Sequence, residues 1–145
     1  MDGLKKLAGS DLGRTDWMEI TQDRVNTFAD ATDDHQWIHV DTARAAESPF
    51  GDLIAHGYLT LSLIIPQFTR LLKIEGARMA VNYGLNKVRF PSPVLVGSRI
   101  RLRGAVENVV EVKGNGVETT LNFTVEVENA DKPACVAQAV YRHYF

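Results

Sequence analysis

The sequence has one cysteine in 145 residues, Cys135, so no internal disulfide can form and a zinc site built from several cysteines is excluded. Such cysteine usage fits a reducing compartment, and a cytoplasmic location is the expectation. An excess of charge of either sign is missing too. Sixteen Lys and Arg stand against eighteen Asp and Glu, and the longest basic run is Lys5-Lys6. The electrostatic footprint of a nucleic-acid-binding surface is therefore lacking, and no nucleic-acid partner is expected. The opening residues, "MDGLKKLAGSDLG", put no apolar run behind their lysines, so no secretory signal is expected. Nor does any stretch reach the roughly 20 apolar residues of a membrane-spanning helix. In the most apolar segment, residues 53–74, Thr60, Ser62, Gln67, Thr69 and Arg70 interrupt the run, and no membrane partner is expected. What remains is 45% hydrophobic and 23% charged, the composition of an ordinary globular protein. One domain spanning residues 1–145 is predicted.

Periodicity assigns the elements. Residues 17–20 form a short strand-like piece, and Thr21 is a plausible N-cap for a helix over residues 22–32, where Val25, Phe28, Ala29 and Thr32 recur at helical spacing. A second short helix is predicted around Asp41 to Glu47, ahead of the breakers Pro49 and Gly51. In "LIAHGYLTLSLIIPQFTRLLKI" apolar residues occupy all sides of a helical wheel. This predicts a helix surrounded by protein, kinked near Pro66, which cannot donate to the Ser62 carbonyl.

Beyond Gly76 the period becomes two. Leu121, Phe123, Val125 and Val127 alternate with Thr120, Asn122, Thr124 and Glu126, and Arg99, Arg101 and Arg103 alternate with Ile100 and Leu102. "KGNG" at 113–116 and "NADKP" at 129–133 are turn signals, and "FPSPV" at 90–94 should interrupt pairing or lie at an edge. The predicted architecture is α+β: a meander of long antiparallel strands curved around one buried helix.

One stretch stands out chemically. "DATDDHQWIHVD", residues 30–41, holds four aspartates and two histidines around Trp37 and Ile38. Asp34 and His39 lie in a predicted non-helical connection, with Ile38 anchoring one side of the histidine. A carboxylate and an imidazole can share one water, one group taking its proton while the other supplies a proton to substrate. "AHG" at 55–57 opens the apolar helix. Gly57 there offers a free N–H, and no side chain, to an anion developing beside it. Acid, base and oxyanion donor together suit addition of water to a double bond beside a carbonyl.

With "FADATDDHQWIHVD" followed by "FGDLIAHGYLTLSLI", and then "YGLNKVRFPSPVLVGSRI", the chain resembles the MaoC-like dehydratases, a family of R-specific 2-enoyl-CoA hydratases with a hot-dog fold. The family's signature runs aromatic, small, Gly-Asp-x-Asn-Pro, aliphatic, His, followed by an Ala/Val-His-Gly helix opening. The resemblance places Asp34 on the catalytic aspartate, His39 on the catalytic histidine, and Gly57 on the glycine whose N–H binds the thioester oxygen. It implies an acyl-CoA or acyl-carrier-protein thioester as substrate, no cofactor beyond the carrier arm that belongs to the substrate, and a homodimer. Asp33 stands where the family often has Gly, Gln36 where it has Asn, and Trp37 where it has Pro. Asp tolerates a left-handed backbone and Gln keeps an amide that can brace the loop. Trp37 puts a bulky ring at the lip of the predicted site, where it could narrow the acyl channel.

Other residues of the region have more ordinary roles. His35 reads as solvated. His56 reads as a brace for the helix opening, and Ser62 as bonding to a nearby carbonyl. Gln36, His56 and Ser62 nonetheless join Gly57 as candidate substrate-binding residues. His35 and His39, four apart near Asp34 and Asp41, would suit a metal only on a helix, so no metal site is predicted. Lys87 and Arg89 are candidates for phosphate contact. Two further functions compete with hydration: a hot-dog thioesterase using a carboxylate and water, and a non-catalytic acyl-binding subunit, against which the intact Asp34 and His39 argue.

Overall fold

The alternating segments become long strands because each can bury one face and solvate the other. In the computed structural model, which describes residues 1–145, the chain order is α1 (Asp2–Lys5), β1 (Asp11–Arg14), β2 (Met18–Glu19), α2 (Gln22–Thr32), α3 (Trp37–Val40) and α4 (Thr42–Ala46), followed by α5 (Gly57–Ser62), α6 (Ile64–Leu71), β3 (Met79–Arg89), β4 (Arg99–Val112), β5 (Gly116–Val127) and β6 (Cys135–Tyr144). The sheet runs β1-β4-β5-β6-β3, with β2 also on β4, and every pairing is antiparallel. Val112 pairs with Gly116 across a turn in which Gly114 and Asn115 have φ of 87° and 57°, conformations that Gly and Asn adopt at least cost. No helix is long and apolar enough to cross a membrane.

Only β4, β5 and β6 form the predicted meander. β3 pairs with β6 at the far edge and not with its successor β4. The reason lies in residues 90–93, Phe-Pro-Ser-Pro, which cannot continue a ladder and carry the chain away from β3 to the other side of the sheet.

One face of the sheet packs on α5 and α6. Leu59, Leu63, Ile64 and Phe68 from the helices meet Ile100, Leu102, Leu121, Phe123, Val125 and Tyr141, all buried. Phe68 lies 5.5 Å from the rings of both Phe123 and Tyr141. The kink expected from Pro66 takes the form of an interruption at Leu63, which leaves Pro66 in the first turn of α6, where a missing N–H is tolerated. Gln67 is buried at this break. Its amide donates to the Leu63 carbonyl at 3.1 Å, and its Oε1 accepts from Thr15 Oγ1 at 3.2 Å.

The helix is not surrounded by protein on all sides, contrary to the pattern of its sequence. Tyr58 is 72% exposed, Ser62 and Pro66 are exposed, and Leu61 and Ile65 are half-buried. Leu61, Ser62 and Ile65, together with Asn82, Gly84 and Leu85 of β3, line an open groove of about 310 Å³. β3 is exposed along nearly its whole length, and its outer edge pairs with nothing in the chain.

Candidate active site

Thr21 caps α2 by accepting from the Arg24 N–H at 3.2 Å, and the helix ends at Asp33, whose φ of 57° is left-handed. That reversal turns the chain so that Asp34 begins a new segment against the mouth of α5. Residues 37–40 then form the one-turn helix α3, so His39 sits on a helix and not in the predicted open connection. Its backbone N–H donates to the Gln36 carbonyl at 3.0 Å.

His39 is buried, and its Nδ1 lies 2.6 Å from the Ile54 carbonyl. A carbonyl can only accept, so Nδ1 carries the proton and Nε2 is left as a free acceptor. Burial lowers the pKa of His39 below the ordinary histidine value; the Ile54 carbonyl opposes this shift, the neighbouring His56 adds to it, and Asp34 opposes it. The ring is therefore held neutral and ready to accept a proton.

His56 stacks on His39 with ring centroids 3.7 Å apart and packs against Phe28 at 4.8 Å. Its Nε2 donates to the backbone carbonyl of Asp34 at 2.9 Å, while its Nδ1 is buried without a partner. His56 thus braces both members of the candidate pair: it tethers the Asp34 backbone and fixes the plane of His39. The Asp34 carboxylate is half exposed and accepts from the Gln36 N–H at 3.4 Å. One ligand-capable atom from each of Asp34, His39 and His56 lies within 4.8 Å of the other two.

These three residues are the group that could hold a cation, in place of the His35 and His39 pairing considered from sequence. His35 turns away to Asp30 at 2.8 Å, and that contact raises its pKa. The fit to a metal is poor. Nε2 of His56 is committed to a carbonyl and stands 4.0 Å from Asp34 Oδ2, whereas ligands around a tetrahedral zinc lie about 3.3 Å apart, given Zn–N bonds of roughly 2.0–2.1 Å. What remains uncommitted is Asp34 Oδ2 and His39 Nε2, two acceptors suited to one water.

A cleft of about 400 Å³ opens beside His39, lined by Ile38, Phe50, Ile54, Gly57, Thr60 and Phe90 among others. Gly57 is the first residue of α5, and its N–H donates to no backbone acceptor. The absence of its side chain has a cause not evident from sequence: a Cβ there would lie 3.3 Å from the Phe90 ring. Phe90 in turn meets Tyr58 edge-on at 6.3 Å.

Of the other predicted residues, Gln36 contributes through its backbone at the start of α3 and is exposed. Ser62 is not part of this cleft. It lies in the groove beside β3, and its hydroxyl donates to the Tyr58 carbonyl at 2.7 Å. Trp37 does not line the cleft either; it is half-buried beneath Arg44, whose guanidinium lies 4.7 Å from the ring centroid. Its bulk is absorbed by that stacking. Sequence reasoning missed Phe90, the Ile54 carbonyl and Thr60. Thr60 alone carried a signal, as a polar residue one helical turn beyond Gly57 in an apolar run.

The model of the MaoC like domain matches residues 4–129. The chain belongs to the MaoC-like dehydratase family. The 3-hydroxyacyl-thioester dehydratase Z of Mycobacterium tuberculosis is 51% identical to this MaoC-like chain over 140 residues, covering 97% of this chain and 93% of its own. Nodulation protein N of Rhizobium meliloti is 45% identical over 139 residues, covering 94% and 86%. Among solved structures, the (R)-hydratase from A. caviae involved in PHA biosynthesis superposes with a TM-score of 0.76 at 25% identity, covering 92% of this chain and 94% of that one. The fold is thereby the hot-dog fold of the MaoC-like dehydratases.

Proposed function

We propose that this MaoC-like protein adds water reversibly to trans-2-enoyl thioesters, giving R-3-hydroxyacyl thioesters, and removes it in the reverse direction. The observation that carries the reading is the pairing of the Asp34 carboxylate with a neutral His39 that lines an apolar cleft and whose Nε2 is freed by the Nδ1–Ile54 bond. In hydration, His39 Nε2 takes a proton from the water that Asp34 orients. The hydroxyl bonds to C3, and the electron pair of the double bond moves through C2 onto the thioester oxygen. Gly57 N–H donates to that oxygen. The proton then returns from the Asp34/His39 pair to C2, so the pair ends as it began. Asp34 also offsets the transient imidazolium charge.

The carrier arm, coenzyme A or phosphopantetheine, belongs to the substrate, and no cofactor takes part. The similarity to the named dehydratase and hydratase supports the chemistry and its R stereochemistry. The unpaired β3 edge supports a homodimer in which two sheets meet. Incubation with crotonyl-CoA tests the reading. Enoyl absorbance should fall without release of free thiol and should do so after exhaustive chelation. Thiol release would indicate a thioesterase, and loss of activity that zinc restores would return a metal to the site.

A further inference from the structure

Thr60 is 2% exposed and lines the cleft with His39 and Gly57. Its neighbours on helices show what a hydroxyl there ordinarily does. Thr27, Thr32, Ser62 and Thr69 each donate to a carbonyl three or four residues back. The Thr60 hydroxyl makes no such bond, although the His56 carbonyl four residues back already accepts from the Thr60 N–H at 3.1 Å. Nor is its oxygen among the sealed, unpartnered atoms, which are Gln22 Oε1, His56 Nδ1 and His143 Nδ1. The other hydroxyl in the cleft, Ser92, is spent on the Lys132 and Pro133 carbonyls. Thr60 therefore offers the one uncommitted side-chain hydroxyl of the cleft.

Its direction follows from helix geometry. Side chains on a helix tilt toward the N-terminus and cover the turn before their own Cα, and residues three apart share a face. From position 60 of α5 that turn is the one opened by Gly57. An anionic thioester oxygen has more lone pairs than a single N–H can satisfy, and a second donor on the same face would complete its stabilisation.

We propose that the Thr60 hydroxyl is the second donor to the thioester oxygen, acting with Gly57 N–H and contributing mainly in the transition state. The proposal rests on the hydratase reading above. It also makes the cleft specific for a substrate whose carbonyl lies within reach of both donors.

Thr60→Val keeps shape and removes the hydroxyl, while Thr60→Ser keeps the hydroxyl. With crotonyl-CoA, Thr60→Val should lower kcat and kcat/KM together by about 10- to 100-fold with KM little changed, the pattern of an interaction much stronger in the transition state than in the bound substrate. Thr60→Ser should recover most of the loss. A spectroscopic reading separates this role from packing. With carbonyl-labelled crotonyl-CoA bound to the Asp34→Asn variant, adding Thr60→Val should move the thioester carbonyl stretch toward its frequency in water, and adding Thr60→Ser should not. An active wild type with normal turnover and an unmoved carbonyl stretch in Thr60→Val overturns the proposal and leaves the hydratase reading standing. A raised KM at unchanged kcat overturns it in favour of simple substrate binding. A wild type that hydrates no enoyl thioester overturns both.

Discussion

The proposed role of His39 depends on one hydrogen bond. Its Nδ1 proton is held by the Ile54 carbonyl, which fixes the tautomer, and burial keeps the ring neutral. Its folded pKa lies below the ordinary value near 6.5. Because a base must be unprotonated, kcat/KM for hydration should stay high through pH 6.5 and fall only as pH drops through the lowered value. Stability carries the same sign: the unfolded chain protonates His39 first, so folding weakens as pH falls below about 6.5. An acid limb centred above 6.5 in the kcat/KM profile would show that His39 is not the base. Asp34 and His39 are also predicted to act as a unit. Asp34→Asn removes at constant size the negative charge that orients the water and offsets the imidazolium, and His39→Gln removes the imidazole that takes the proton. Each should lower hydration by at least about 10², the low end for positioned acid/base groups. The double variant should be scarcely worse than the poorer single one, because groups that share one water are non-additive. Multiplicative losses measured on crotonyl-CoA would mean that the two work separately.

At the level of elements, the mouth of α5 is where three segments converge: the reversal after α2, the turn α3, and the Phe-Pro-Ser-Pro run after β3. Gly57 sits where they meet, with Phe90 against it. Gly57→Val should displace that ring and also crowd the donor N–H. Losing one oxyanion donor typically costs about 10² to 10³ in turnover. Adding Phe90→Leu should restore the melting temperature of Gly57→Val but not its kcat; recovered turnover would show that Gly57 serves only to seat the ring. Much of this arrangement was readable in advance. The helix over residues 22–32, its Thr21 cap and the strands β4 and β5 follow from strong local periods and turn chemistry. Asp34, His39 and Gly57 were singled out by residue type and spacing, and the fold brings them to one place: ligand-capable atoms of Asp34 and His39 lie within 4.8 Å, and Gly57 opens α5 beside His39. The four-residue α3 was not, because so short a segment shows no period and is held by the Gln36 and Trp37 carbonyls and by packing. The partners of Gly57 and His39 were equally hidden. Phe90 and Ile54 reach the site through tertiary contacts, which local pattern does not encode. Ser62 shared the helix with Gly57 but fell on its other side, and the apolar wheel that suggested full burial left out of account what covers the side facing β3.

In the molecule as a whole, exposed apolar surface is concentrated along β3. Met79, Val81, Tyr83 and Leu85 are 52%, 37%, 58% and 48% exposed; Leu85 lies in the groove with Leu61 and Ile65, whereas Met79 and Val81 share the outer face of the sheet with Tyr144 and Arg142, whose guanidinium lies 3.4 Å from the Tyr83 ring centroid. The remaining outer face of the sheet is different in kind. It carries cross-strand ion pairs, Arg101 with Glu126 and Arg142 with Glu118, and a polar ladder of Asn86, Gln138, Asn122 and Glu107. Charges and amides of this sort keep a sheet face in water, whereas a long flat apolar edge with unpaired backbone groups recruits another strand. In the proposed homodimer the β3 edge and its groove would form the contact, each copy offering the same patch about a two-fold axis. Wild-type protein at micromolar concentration should show twice the 16.1 kDa chain mass by light scattering. Leu85→Arg sets a charge in the groove beside Leu61 and Ile65, at a position already half exposed in the single chain, so the fold should survive while the dimer does not. Its far-ultraviolet circular dichroism should match wild type and its mass should fall to that of one chain. A Leu85→Arg protein that keeps the doubled mass would move the interface to another face, and a monomeric wild type would leave the apolar β3 edge without a second copy to cover it.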